Sequence, residues 1–122
     1  MADKLIIVMA NTDPADAVGV ATVLFQAGIA AAMEYEVELI LTGRAARLAC
    51  RGVAAALEVP GSDGSNAYDY LCDALQAGAV LKVCTTALEQ CGDSLLEEVS
   101  ETVGAAYLIS EAMNEDTVTF TY

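Results

Sequence analysis

The sequence has no histidine among its 122 residues. That absence excludes Ser/His and Cys/His nucleophilic catalysis and any histidine general base. Positive charge is nearly as scarce: 5 basic residues stand against 18 acidic ones, giving a net charge of −13. Nucleic acid and anionic membrane surfaces repel such a protein at long range, so neither is an expected partner. No G-x-G-x-x-G and no Walker loop occurs, which leaves a nucleotide site unsupported. No secretory signal is visible, because Met1 to Ala10 holds only a short apolar run with Asp13 and Asp16 just beyond. The four cysteines (Cys50, Cys72, Cys84, Cys91) are therefore read as thiols of a reducing cytoplasm and not as a disulfide framework. Their irregular spacing does not fit a zinc site, and neither a metal nor a cofactor is expected.

What is present is apolar side chain, 56% of the sequence. That excess suits a sheet covered on both faces, or an oligomer that buries one face. The length fits one domain with a single substantial core. The run Ala17 to Met33 is almost wholly apolar, but it is short and flanked by acids, so it reads as a buried helix and not a membrane span.

In chain order, Lys4 to Ala10 reads as a strand buried on both faces. Asp13 is a good N-cap with Pro14 at the first helical position, opening a helix to about Met33. Glu34 to Leu41 is a second strand. Tyr35, Val37 and Leu39 alternate with three glutamates, a pattern that reads as one solvated face. Arg44 to Leu57 reads as a helix, residues 59–65 as a loop, and Ser65 or Asn66 to Gln76 as a further helix ended by Gly78. Ala79 onward is a third strand ending at Cys84. Thr86 and Glu89 then form a capping-box pattern that restarts the chain as a helix. Val99 to Val103 is a short strand, Gly104 to Met113 a helix, and Thr117 to Tyr122 a terminal strand. The order, without hairpin turns, calls for an α/β fold: a three-layer α/β/α sandwich around a mainly parallel sheet of about five strands.

In such sheets, sites lie outside the carboxyl ends of the strands. Three pieces fall there: Asn11 to Asp13, Thr42 to Arg44, and Cys84 to Thr86. Cys84 is the only sulfur so placed. Backbone N–H groups near Thr85 and Thr86 would favour its thiolate, and Arg44, Arg47 and Arg51 are a concentrated source of countercharge. Lys82 shares a strand face with Cys84, or else marks a sheet edge. Cys91 is a candidate second sulfur, as a resolving partner of Cys84 or a relay point. Cys50 and Cys72 read as small buried hydrophobes.

The segments LIIVMANTDPADA, EVELILTGRAARLACRG, AGAVLKVCTTALEQCG and VGAAYLISEAM followed by TVTFTY, in that order, resemble the DsrE/DsrF-like proteins of sulfur relay systems, which include the TusBCD subunits. The resemblance covers nearly the whole chain. It implies that Cys84 matches the cysteine that accepts sulfane sulfur as a persulfide and passes it to an acceptor thiol. It also implies a homo-trimer or hexamer, and TusA-like or rhodanese-like donor and carrier proteins as partners. The alternatives are a non-catalytic subunit of a sulfur-relay complex, or a thiol-redox sensor using Cys84 and Cys91.

Overall fold

A computed structural model describes residues 3–122. Five strands form one sheet in the order β4-β3-β2-β1-β5, and every neighbouring pair is parallel. They are β1 (Lys4–Met9), β2 (Glu36–Leu41), β3 (Val80–Cys84), β4 (Val99–Val103) and β5 (Thr117–Thr121). The chain steps from β1 to β4 in one direction and returns to the far side of β1 for β5. Right-handed crossovers therefore place α1 (Ala17–Ala32), α2 (Ala67–Ala77) and the short α3 (Thr86–Cys91) on one face, and α4 (Ala105–Ala112) on the other. The main core joins Ile7, Met9, Leu39, Leu41, Leu81 and Val83 to α1 and α2. A smaller cluster of Ile6, Val8, Ile40 and Val103 packs under α4. The expected three-layer α/β sandwich is the observed one, with a single helix as its thinner layer. Among the described residues, no helix is long and apolar enough to cross a membrane.

Local chemistry explains where the elements begin. α2 has a full capping box: Asn66 accepts from the Asp69 N–H, and the Asp69 carboxylate accepts from the Asn66 N–H. Gly78 ends α2 at φ 123°, a conformation that suits glycine. The first helix starts later than Asp13–Pro14 predicts. Asp13 instead accepts from the Ala15 N–H in a turn, and Asp16 is the cap, accepting from Gly19. That helix is also less buried than its composition predicts. Val20, Val23, Leu24 and Ala27 face the core, while Phe25 and Met33 are about 60% exposed (60% and 61%).

Two further expectations are corrected. Residues 44–57 do not form one α-helix: Gly43–Ala49 is a 3-10 segment, followed by turns and an isolated bridge between Cys50 and Leu95. Thr42, the residue that precedes it, makes no side-chain capping bond. The alternating glutamates of β2 are not all solvated, because Glu38 is only 5% exposed. α4 covers that part of the sheet, and Glu38 is paired there. Lys82, read as a potential edge residue, lies in β3, which has β2 and β4 on its two sides, and is 9% exposed.

These two residues anchor a buried ionic network. Glu38 lies 2.5 Å from Lys4 Nζ and 3.1 Å from Lys82 Nζ. Lys82 also reaches Glu101 at 2.8 Å and donates to the Tyr107 hydroxyl at 2.7 Å, which donates in turn to Glu38. Lys4 completes the set with Glu111 at 2.5 Å. Burial pushes the Glu38 carboxyl up, but hydrogen bonds from Lys4, Tyr107 and Lys82 outweigh it and hold the carboxyl below its ordinary value. Burial pushes both ammonium groups down, and their acidic partners outweigh it and leave both above their ordinary value.

Candidate active site around Cys84

β3 delivers Cys84 to the carboxyl edge of the sheet, where the side chain is half-buried and free. Two neighbouring segments supply its surroundings. Thr42 leaves the end of β2, and its hydroxyl is among the groups that lower the Cys84 pKa. Thr86 opens α3, and its Oγ1 lies 2.7 Å from Cys84 Sγ. The Thr86 and Ala87 N–H groups complete the set. Burial pushes the Cys84 thiol up, but these four donors outweigh it and leave its pKa below the ordinary 9.0. The groups that lower its pKa are neutral hydroxyls and amides, and they favour the thiolate without pairing it with a cation.

The loops around the site are fixed by short-range ties. Gly43 has φ +54°, and a Cβ there would stand 2.9 Å from the Ala10 carbonyl oxygen, so only glycine lets this turn lie against the end of β1. Gln90 on α3 donates to the Gly43 carbonyl at 3.3 Å, linking α3 to the segment that carries Thr42. Arg44 is exposed and pairs with Asp13 at 3.2 Å.

Of the sequence candidates, Cys84 and Thr86 are brought together. Thr85 is adjacent, but its N–H donates to the Val103 carbonyl and serves the sheet, so the anion-stabilising N–H groups sit one residue later. Asn11 donates its backbone N–H to Tyr122 at the end of β1, and neither it nor Arg44 is among the groups that stabilise the Cys84 thiolate. The expected Thr86–Glu89 capping box is absent, since Thr85 occupies the cap position and Thr86 turns to the sulfur. Thr42 is the partner that sequence reading missed as a donor. Its place directly after an apolar strand and before Gly43 was the available signal.

Cys91 is not paired with Cys84. It forms a disulfide with Cys50, with Cα atoms 5.0 Å apart across a sequence separation of 41. This corrects the reading of four free thiols, of Cys50 as a plain buried hydrophobe, and of Cys91 as resolving partner to Cys84. The bridge depends on the turn after the 3-10 segment, where Cys50 bridges Leu95 just beyond α3, and no sequence spacing reports that approach. Among the described residues, no three acidic or sulfur side chains gather as metal ligands.

No family model and no curated protein matches the chain. Solved structures do. The ychN protein from E. coli superposes with a TM-score of 0.71 at 22% identity, covering 98% of this chain and 99% of that one. A conserved protein of unknown function from Bacteroides thetaiotaomicron, BT1422, gives 0.70 at 14% identity over 98% and 95%. MTH1491 from Methanobacterium thermoautotrophicum, also of unknown function, gives 0.62 at 12% over the full length of both. The chain shares their fold. At these identities the likeness carries the architecture and not the chemistry.

Proposed function

We propose that the chain is a sulfur-relay protein, a cytoplasmic sulfurtransferase that carries sulfane sulfur on Cys84. One observation carries the reading: a free, half-exposed thiol at a strand's carboxyl end, held toward its anion by four neutral donors. The resemblance to DsrE/DsrF-like proteins and the shared fold support it. In the first step the Cys84 thiolate attacks the outer sulfur of a donor persulfide. The donor's S–S bond breaks, a new one forms to Cys84, and the donor leaves as a thiolate. In the second step an acceptor thiolate attacks that outer sulfur and Cys84 departs as a thiolate. No net oxidation occurs, so neither step requires a cofactor. The four donors serve both directions, stabilising Cys84 as nucleophile and as leaving group. TusA-like and rhodanese-like proteins are the partners this chemistry fits.

Incubation with polysulfide followed by mass spectrometry tests the reading. Cys84 is expected to gain sulfur in steps of one atom, and Cys84→Ala to gain none at that site. An unloaded Cys84, or equal loading of Cys84→Ala, would instead leave the chain as a non-catalytic subunit.

The partner surface is proposed to include a second copy of the chain, in a trimer or hexamer. Val18, Phe25 and Ile29 of α1, Met33 just after it, and Val118 and Phe120 of β5 line an apolar groove of about 1000 Å³ on the face away from α4. None of these groups touches the Cys84 site, so assembly and sulfur transfer use separate faces. Sedimentation should show an oligomer, and Phe25→Asp with Phe120→Asp should release monomers that still load sulfur. A wild-type monomer at micromolar concentration would remove the assembly from the proposal.

A further inference from the structure

The two segments whose groups favour the Cys84 thiolate are the same two that the Cys50–Cys91 disulfide ties together. From Thr42 the chain runs through the 3-10 segment Gly43–Ala49 to Cys50; from Thr86 it runs through α3 to Cys91. At one end of this pair, Thr86 Oγ1 lies 2.7 Å from the Cys84 sulfur and the Thr42 hydroxyl is a further group that lowers its pKa; at the other, Cys50 and Cys91 are covalently joined. Between the ends, among the described residues, the one side-chain hydrogen bond is Gln90 to Gly43 at 3.3 Å, from an exposed glutamine, and the rest of the contact is packing of small buried side chains, Ala45, Ala46 and Ala87. The 3-10 segment lacks a side-chain cap, and α3 is six residues long with none of its own. Helices this short do not hold themselves in place; their register comes from what fastens them.

We propose that the Cys50–Cys91 disulfide is a redox-sensitive clasp that sets the reactivity of Cys84. Closed, it fixes α3 and the 3-10 segment so that the Thr42 hydroxyl, the Thr86 hydroxyl and the Thr86 and Ala87 N–H groups all point at one sulfur. Open, it removes the covalent tie at the far end and leaves the backbone bonds of Arg51 to Ser94 and Leu96 to Ala49; α3 shifts against the 3-10 segment, the donors lose alignment, and the thiolate is less favoured. The inference rests on the reading of Cys84 as the sulfur-carrying nucleophile. In the cytoplasm that reading assumes, a lasting disulfide is uncommon and a switching one is the usual kind.

The opening reaction is two-electron thiol exchange with a cellular dithiol. One reductant thiolate attacks Cys50, the half-buried member, and Cys91, which is 9% exposed, leaves as a thiolate. The reductant's second thiol then attacks the mixed disulfide, releasing Cys50 and leaving the reductant as its own disulfide. The two electrons end on Cys50 and Cys91, which take up protons as thiols. Charged groups on the surrounding elements are Glu89 on α3, Asp93 just beyond it, Arg44 (paired with Asp13) and Arg47 in the 3-10 segment, and Arg51 next to Cys50.

The test is the pH profile of Cys84 alkylation by iodoacetamide, read by peptide mass spectrometry in a Cys72→Ser background. It is run on the oxidised chain, on the same chain opened with dithiothreitol, and on Cys50→Ser with Cys91→Ser. Opening is expected to displace the profile to higher pH and slow Cys84 modification at neutral pH about three- to tenfold, restored on re-oxidation. Amide hydrogen exchange at Thr86 and Ala87 should accelerate with it. Superimposable profiles in the closed and open states overturn the clasp while leaving sulfur relay standing. A Cys84 inert in both states overturns the relay reading itself. If the double variant fails to fold, the reduced and re-oxidised chain decides. Global unfolding of that chain on reduction, seen by circular dichroism, also overturns the proposal, because the bridge would then be a structural staple.

Discussion

Two polar regions interrupt this apolar sheet, and they differ in how completely their groups are matched. Under α4, Lys4, Glu38, Lys82 and Tyr107 meet one another and the more exposed Glu101 and Glu111, so each buried charge faces an opposite one. At the carboxyl ends of β2 and β3, Cys84 meets only hydroxyl and amide donors, and part of its surface stays open to solvent. The network is the more strongly perturbed region, with shifted pKa values on four residues. By that criterion alone it would be taken for the site. Its valences are closed, however, and nothing in it is left to act on a substrate. Neutral donors stabilise the anion of Cys84 without cancelling its charge, which is the condition a nucleophile needs. Completeness of pairing, more than polarity or burial, separates structure from chemistry here.

The largest effect that should sharpen this contrast comes from Glu38→Gln. Removing one charge leaves Lys4 and Lys82 buried against a neutral amide, and breaking such a pair costs roughly 3–5 kcal/mol. Urea unfolding should show that loss, while Cys84 alkylation under native conditions stays at the wild-type rate. A parallel loss of Cys84 reactivity in folded protein would break the separation of the two regions. The same network sets a pH limit. The Glu38 carboxyl titrates below its ordinary 4.5, so its contribution is complete above that value and is lost as pH falls through the lower folded value. Lys4 and Lys82 titrate above their ordinary 10.5, so theirs is complete below that value and is lost only at more alkaline pH. Stability of wild type should therefore drop on the acid side of about pH 4.5, and Glu38→Gln should lose much of that acid slope.

The contrast also explains what could be read from the chain before folding. Strands, the start and the glycine end of α2 and the position of Cys84 follow from local periodicity and turn chemistry, so the order of elements over residues 66–84 was legible to within a residue or two. Glu38 was not, because strict alternation in Glu34–Leu39 describes two faces without saying which face another helix will cover. Thr86 had two competing uses, as a cap for α3 or as a donor to Cys84. The sequence pattern with Glu89 favoured the first, and tertiary proximity selected the second. Thr42 could be placed at a strand's carboxyl end, but its approach to Cys84 and the Cys50–Cys91 bridge were illegible for a related reason. Each joins segments from different strand ends, and parallel crossovers bring those ends together only after the sheet has formed.

The smallest expected effect tests the other half of the contrast. Thr42→Val keeps the side-chain volume and removes one hydroxyl donor from the Cys84 sulfur. A hydrogen bond to a charged group is worth about 1.5–3 kcal/mol, and three other donors remain to take up part of the loss. Alkylation of Cys84 at neutral pH should slow by roughly three- to tenfold, because each tenfold fall in thiolate corresponds to about 1.4 kcal/mol. Thr42→Ser restores the hydroxyl and should restore the rate. The change should appear in reactivity with little in stability, since Thr42 is only half-buried and its hydroxyl caps no helix. If Thr42→Val instead lowers the urea midpoint as Glu38→Gln does, and leaves the alkylation profile in place, its hydroxyl belongs with the closed network as a structural group. Cys84 would then owe its anion to the Thr86 hydroxyl and to the N–H groups of Thr86 and Ala87 alone, and the loop after β2 would have no part in the chemistry.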